Sequence, residues 1–345
     1  MSLYLGLLIF SFIVTSILIV PFINLLYKLK FTRRKEAPKT GIIPPFDKMH
    51  DIKAGTPIGG GILVILVVSI LFAILFPPIT YMGVFISAAY NIREEIQVIF
   101  FTFLAFGFLG LVDDIVKLFG KSEAGRMGMW AGLRRRQKFA LQWVIALTAA
   151  FMLYHSLDIK IVNIPIIERV FNLGIFYIPF AAFTIVSFAN AYNVTDGLDG
   201  LAAGLLMICL FAFWMIAAAS LDTPLSVFIA LWIGSLMSFL YFNVFPARIF
   251  MGDAGALAFG ATLAVVGLLT GKIFALLIIG GIFIFELLSS FIQIFGWRVL
   301  GKPILPIAPF HLFFQLKKWE EPKIVMRAWL AGIMLAVFGL WLAVI

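Results

Sequence analysis

Long apolar runs alternate with short polar breaks along most of this chain. Each run approaches the roughly 20 residues that carry an α-helix across a bilayer. The pattern predicts ten spans, at about residues 3–26, 57–77, 96–112, 139–155, 175–190, 200–219, 225–242, 255–270, 273–296 and 328–345. No long linker or internal repeat interrupts them, so residues 1–345 are expected to form one integral membrane domain. Between the fourth and fifth spans, residues 156–174 alternate apolar and polar positions around Asn163-Ile164-Pro165, which predicts a short hairpin. The expected fold class is an all-α polytopic membrane protein.

Composition agrees and narrows the class. The chain is 63% hydrophobic with a mean hydropathy of +1.10, and only 12% of its residues are charged, about half the share of a globular chain. An ordinary soluble domain is excluded. The first 30 residues do not read as a cleaved signal: the apolar run is too long, no basic residue precedes it, and no small-x-small site follows. Cys209 is the single cysteine, so an intrachain disulfide is excluded.

The formal charge of +9 sharpens the topology. Of the 26 Lys and Arg residues, 22 fall in the loops that follow odd-numbered spans. The positive-inside rule places those loops in the cytoplasm and both termini outside. Basic residues distributed in this way suit anionic headgroups and phosphorylated substrates, and no nucleic-acid partner is expected.

Against this background the acidic residues stand out. Asp113-Asp114, Asp196 with Asp199, and Asp253 each sit at the end of an apolar run and beside glycine, where a carboxylate is costly and usually functional. All three clusters fall in cytoplasmic loops. Repelling carboxylates gathered at one site call for a cation, and a hard divalent ion working on phosphate fits best. Alone, Asp113-Asp114 could be two solvated helix-end acids and Asp253 an N-cap. Lys117 and Lys121 follow Asp113 at helical spacing and could either hold phosphate or neutralise the acids. The segment Asn190 to Gly200 packs amides, a hydroxyl and two carboxylates into a short break, and is the most specific of the three. His311 lies in a proline-rich basic loop able to fold over a site, His50 is a weaker case, and His155 reads as interfacial. Glu286 and Gln293 lie within the ninth span, and Glu286 is expected to make a structural hydrogen bond.

Several of these motifs, in order along nearly the whole chain, resemble the polyprenyl-phosphate N-acetylhexosamine-1-phosphate transferases, nearest to their phospho-N-acetylmuramoyl-pentapeptide transferase branch. The matching stretches are Lys53-Ala-Gly-Thr56-Pro57, Gly110-Leu-Val-Asp113-Asp114, Gln137-Lys138-Phe139, Asn190 to Gly200, and Phe250-Met-Gly-Asp253. Glu286 to Gln293, Ala308-Pro309-Phe-His311, Leu316-Lys-Lys-Trp319 and Glu321-Pro322 complete the series. The resemblance implies a ten-span fold, a cytoplasmic site in a bacterial inner membrane, a homodimer and a requirement for magnesium. It also implies transfer from UDP-MurNAc-pentapeptide to undecaprenyl phosphate, with release of UMP and formation of lipid I.

By the same resemblance, Asp253 ligates magnesium, Asp113 is the base or orients the lipid phosphate, and Asp114 supports both at the metal, with His311 in the catalytic group. Phe250 stacks on uracil beside Asp199, Asn243 and Lys117. Lys53, Thr56, Lys138, Asn190, Val194, Asp196, Gly197, Leu198 and Gln293 complete the substrate shell. One departure concerns the donor: the family's three consecutive histidines are here His311-Leu312-Phe313. That leaves a related UDP-amino sugar such as UDP-GlcNAc as the second reading. A transporter, the reading from another class, would place its acids near the bilayer midplane and not at one face.

Overall fold

The computed structural model describes residues 2–33, 53–81, 87–119, 135–167 and 169–345. His50 and Lys121 lie outside the described residues. The chain forms α1 (Ser2–Lys28), α2 (Gly60–Tyr81), α3 (Ile92–Phe119), α4 (Arg135–His155), β1 (Ile161–Ile164), β2 (Arg169–Asn172), α5 (Tyr177–Thr195) and α6 (Leu201–Ala219). It continues through α7 (Thr223–Asn243), α8 (Gly252–Leu269), α9 (Ile273–Ile279), α10 (Gly281–Phe295), α11 (Phe310–Leu316) and α12 (Glu321–Val344). Among the described residues, nine helices are long and apolar enough to cross a membrane. The expected span at 139–155 appears as α4, whose 21 residues open on Arg135-Arg136-Gln137-Lys138 and are therefore less apolar than the others.

Several expected bounds shift: Asp113, Asp114 and Lys117, expected in the loop after the third span, lie in the last turns of α3, and Asp253 lies in the first turn of α8. The strands β1 and β2 pair antiparallel with Ile164 opposite Arg169, so the hairpin turns through Pro165–Ile167, beginning at the last residue of the expected Asn163-Ile164-Pro165 centre. The ninth expected span is broken at Gly280 into α9 and α10, and α10 runs on into a π-helical turn over Gly296–Leu300.

The centre of the bundle is α8, which packs on α2, α3 and α5. Small residues permit that packing, as expected where lipid supplies no hydrophobic drive between helices. A Cβ on Gly110 of α3 would stand 2.1 Å from the Asp253 carbonyl oxygen, and one on Gly61 would stand 2.2 Å from the Gly255 Cα. Aromatic rings fill the space beyond: Phe103, Phe228, Trp232 and Phe259 meet at centroid distances of 5.4 to 5.8 Å. On the far side of α7, α1 docks through hydroxyls. Ser11 Oγ donates to the Leu231 carbonyl at 2.7 Å, Thr15 Oγ1 to Ser235 Oγ at 2.9 Å, and Ser16 Oγ to Ser238 Oγ at 3.0 Å.

α3 and α8 run antiparallel. Tyr90, just before α3, donates to the Leu269 carbonyl at the end of α8, while Asp114 near the end of α3 meets the start of α8. One end of the bundle therefore gathers the aspartates.

Candidate active site

The cluster begins with a helix start that lacks its own cap. At the N-terminus of α8, Met251 offers no side-chain acceptor to the first free N–H groups. Asp114 supplies it from α3. Its Oδ1 accepts from the Asp253 N–H and its Oδ2 from the Ala254 N–H, both at 3.0 Å. A carboxylate is the favoured partner for that positive helix end. Gly252, at φ +80, leaves no room for a side chain beside Asp114 Oδ2. Asp114 therefore does something neither sequence reading foresaw: it caps another helix and fixes the backbone that carries Asp253.

Asp253 does not cap α8 with its own side chain. Its carboxylate turns to two lysines. Oδ2 receives Lys117 Nζ at 2.5 Å and also Lys138 Nζ, and Oδ1 accepts from Asn193 Nδ2 at 3.0 Å. Asp113 Oδ2 receives the same two ammonium groups, Lys117 at 2.9 Å one helical turn away and Lys138 at 2.8 Å from α4. Two carboxylates and two ammonium groups thus alternate around one point. Asp113 is buried, whereas the Lys117 side chain is 36% exposed and can swing toward an incoming anion.

Beside this ring lies a cavity of about 260 Å³, lined on one wall by Asp114, Lys117, Gly252 and Asp253 and on the other by Asn193, Asp196, Gly197, Leu198 and Asp199. Arg33, Lys53, Asn243 and Phe250 close it. The Asp196–Gly200 segment is a turn between α5 and α6. Burial pushes the Asp196 carboxyl up to about 7, helped by the Asp253 charge and opposed by Arg33 and Lys53. Asp199 is held by Lys53 Nζ at 2.6 Å and by the Ala247 N–H at 2.9 Å. Phe250 is anchored through its backbone, since Gly59 and Gly60 donate to its carbonyl and its own N–H donates to Pro57. The Arg33 guanidinium lies 5.6 Å from its ring centroid.

Other expected site residues occupy supporting positions. Asn243 is buried with both ends of its amide engaged, accepting from the Gly200 N–H and donating to the Ile249 carbonyl. Asn190 turns toward α4, donating to Gln142 Oε1 and the Val186 carbonyl. Gln293 clamps Leu305 through both its N–H and its carbonyl, each at 2.9 Å. His311 is buried, with Nδ1 3.2 Å from Glu286 Oε2 and its backbone N–H donating to Oε1. This is the structural hydrogen bond expected of Glu286. The other ring nitrogen of His311 faces Gly197, where a Cβ would come within 2.5 Å. Thr56 pairs with Arg33 through its backbone carbonyl, and neither Thr56 nor Val194 is on the cavity wall.

Asn193, Arg33 and Glu321 were missed. Asn193 is one of the amides of the Asn190–Gly200 segment but was not named as a site residue, although it lies three residues from both Asn190 and Asp196. Glu321 stands in the matched Glu321-Pro322 stretch but was given no role there, and Arg33 carries no local signal that separates it from other loop charges.

A profile for glycosyl transferase family 4 matches residues 96–271. The phospho-N-acetylmuramoyl-pentapeptide-transferase of Caldanaerobacter subterraneus subsp. tengcongensis is 36% identical over 311 residues, spanning 90% of this chain and 89% of the relative. The chain belongs to the phospho-N-acetylmuramoyl-pentapeptide-transferase family. Two further members, from Clostridium perfringens and Thermodesulfovibrio yellowstonii, are 37% identical over 317 residues and 35% over 353; they cover 91% and 96% of this chain and 89% and 90% of their own. The family profile begins inside α3 and ends just past α8, so Asp113, Lys117, Lys138 and Asp253 of the carboxylate–lysine ring all lie within it.

Among the described residues, no group of three or more His, Cys, Asp or Glu is placed to hold a metal by itself. The donors nevertheless fit magnesium, which is commonly bound by one or two carboxylates together with substrate phosphates and water. Asp113 and Asp253 already converge on shared cations. Asp114 fits less well, because both its oxygens are engaged by backbone N–H groups.

Proposed function

We propose that this chain transfers phospho-MurNAc-pentapeptide from UDP-MurNAc-pentapeptide to undecaprenyl phosphate, forming lipid I and UMP. In this reading it acts as a single ten-span domain of a bacterial inner membrane, with α4 as the tenth span, the site on the cytoplasmic face and a homodimer as the working form. The observation that carries the reading is the ring of Asp113, Asp253, Lys117 and Lys138 beside a cavity walled by Phe250 and the Asp196–Gly200 turn. The distribution of basic loops supports the orientation.

Phosphoryl transfer asks a protein mainly for positioning and charge stabilisation. An oxygen of the lipid phosphate attacks the β-phosphorus of the donor; the bond from that phosphorus to the bridging oxygen breaks, and UMP leaves with the electron pair. Lys117, the more exposed lysine, turns from the carboxylates to the donor phosphates and offsets the charge that builds on UMP. Lys138 stays between Asp113 and Asp253 and keeps the two carboxylates from separating. Asp113 orients the acceptor phosphate and takes its proton where it arrives protonated. Magnesium held by Asp253 and Asp113 would supply Lewis-acid stabilisation of the pyrophosphate. Phe250 offers a face for uracil, and Asn193 and Asp199 offer polar contacts to the nucleotide.

The test is UMP release from the purified, folded protein with magnesium and undecaprenyl phosphate, comparing UDP-MurNAc-pentapeptide with UDP-GlcNAc. Turnover with the first donor is expected. Release only from UDP-GlcNAc would move the chain to the second reading, and no UMP from any donor would sink the transferase assignment.

A further inference from the structure

Glu321 opens the last helix, one residue before Pro322, and its side chain is only 9% exposed. It is absent from the cavity wall. Its Oε1 accepts from Lys53 Nζ at 2.5 Å and from the Asp199 backbone N–H at 2.5 Å. Lys53 in turn holds Asp199 Oδ1, and both Lys53 and Asp199 line the cavity. One carboxylate therefore ties three distant stretches of chain together at the back of the nucleotide wall. Two turns along the same helix, Trp329 Nε1 donates to the Gly200 carbonyl at 3.2 Å, and its ring lies against Gly204, where a Cβ would come within 2.2 Å. The turn that carries Asp196 and Asp199 is thus gripped from behind by α12 at two points.

We infer that Glu321 is a positioning residue for the nucleotide end of the donor, acting through Lys53 and the Asp199 backbone. The charge of Lys53 is answered by two carboxylates, so its ammonium serves as a fixed strut between α12 and the turn. The donor phosphates are left to Lys117. Charge-assisted hydrogen bonds in a buried site are the strong ones, and an amide at position 321 would keep the shape while losing the charge that holds Lys53. The helix start also favours a negative group at this position. This inference rests on the transferase reading for its kinetic form, but the geometry concerns nucleotide binding and can be read without turnover.

The experiment uses the full-length protein in detergent with Glu321→Gln, Lys53→Met and the double variant. UMP binding by calorimetry is expected to weaken about tenfold in Glu321→Gln, the effect of losing one charged hydrogen bond at a site of this kind. The double variant should bind no more weakly than Lys53→Met alone, because the glutamine amide oxygen still accepts from the Asp199 N–H and only the Lys53 arm depends on the charge. In turnover assays the KM for the UDP donor should rise by a similar factor, while kcat and the KM for the polyprenyl phosphate stay within about twofold. Wild-type UMP affinity in Glu321→Gln overturns the inference. So do additive losses in the double variant, or an equal fall in kcat and in both substrate affinities together with early melting, which would make Glu321 merely structural. If the wild-type protein binds UMP but releases none from any donor, the functional reading fails while the calorimetric result still decides this one.

Discussion

Replacing Asp114 by Asn separates helix capping from chemistry. The carboxylate accepts from two backbone N–H groups at the start of α8, at 3.0 Å each. Asparagine keeps one acceptor and turns an NH₂ group toward the other N–H, so one charge-assisted bond is lost and a buried donor faces a donor. That loss is worth about 1.5–3 kcal/mol. Removing the negative charge from a buried helix start adds roughly 0.5–2 kcal/mol. A total of about 2–5 kcal/mol should lower the melting temperature by several degrees. It should also loosen the position of Asp253 relative to Asp113, so kcat falls but does not vanish. Melting by intrinsic fluorescence in detergent and UMP release at saturating donor read the two effects on one preparation. If Asp114→Asn melts with the wild type and has no turnover at all, Asp114 takes part in the reaction and the capping argument fails.

Two further outcomes follow from the same geometry. Asp253→Asn should abolish turnover while the protein extracts and melts as a folded species, since the part-exposed Lys117 can turn to water; activity near wild type would remove Asp253 from the reacting centre. Asp196 makes stability depend on pH. Its carboxyl, raised from 3.8 to about 7 by burial, binds a proton more tightly in the folded chain, so its contribution is fully present below about pH 4 and is lost as pH rises through about 7. The melting temperature should therefore decline over that window, and Asp196→Asn should flatten the decline; an unchanged slope in the variant would assign the effect to other groups.

Much of the architecture was legible because bilayer crossing imposes a length and a polarity on each helix. The carboxylate clusters were legible for a related reason, since charge at the edge of an apolar run is conspicuous. The pairing of Asp113 with Lys117 could be read from helical spacing alone. What escaped was everything decided across the bundle. Nothing local to Asp114 says that its partner is the start of a helix 139 positions away. Glu321 lies 268 positions from Lys53, and the Glu321-Pro322 motif says nothing of that partner. Asn243 and Gln293 were placed in the substrate shell by the family resemblance, which says nothing of the backbone groups that each amide also holds. The break at Gly280 was hidden because the apolar pattern continues through it.

The almost complete enclosure of α8 has a consequence for life in a real membrane. Its neighbours α2, α3 and α5 sheathe it, so lipid tails do not touch the helix that bears Asp253. Mismatch between a helix and bilayer thickness acts on helices that face lipid, and here those include α1 and α12, which expose rows of large apolar side chains. A thicker or thinner membrane should tilt these outer helices first. The spacing of Asp113 and Asp253 is set by glycine contacts inside the protein, so the carboxylate–lysine ring keeps its dimensions. The last helix has no such insulation, and it carries Glu321. If Glu321 positions the donor as proposed, donor affinity, more than turnover, is the property that adaptation to a new lipid environment would retune.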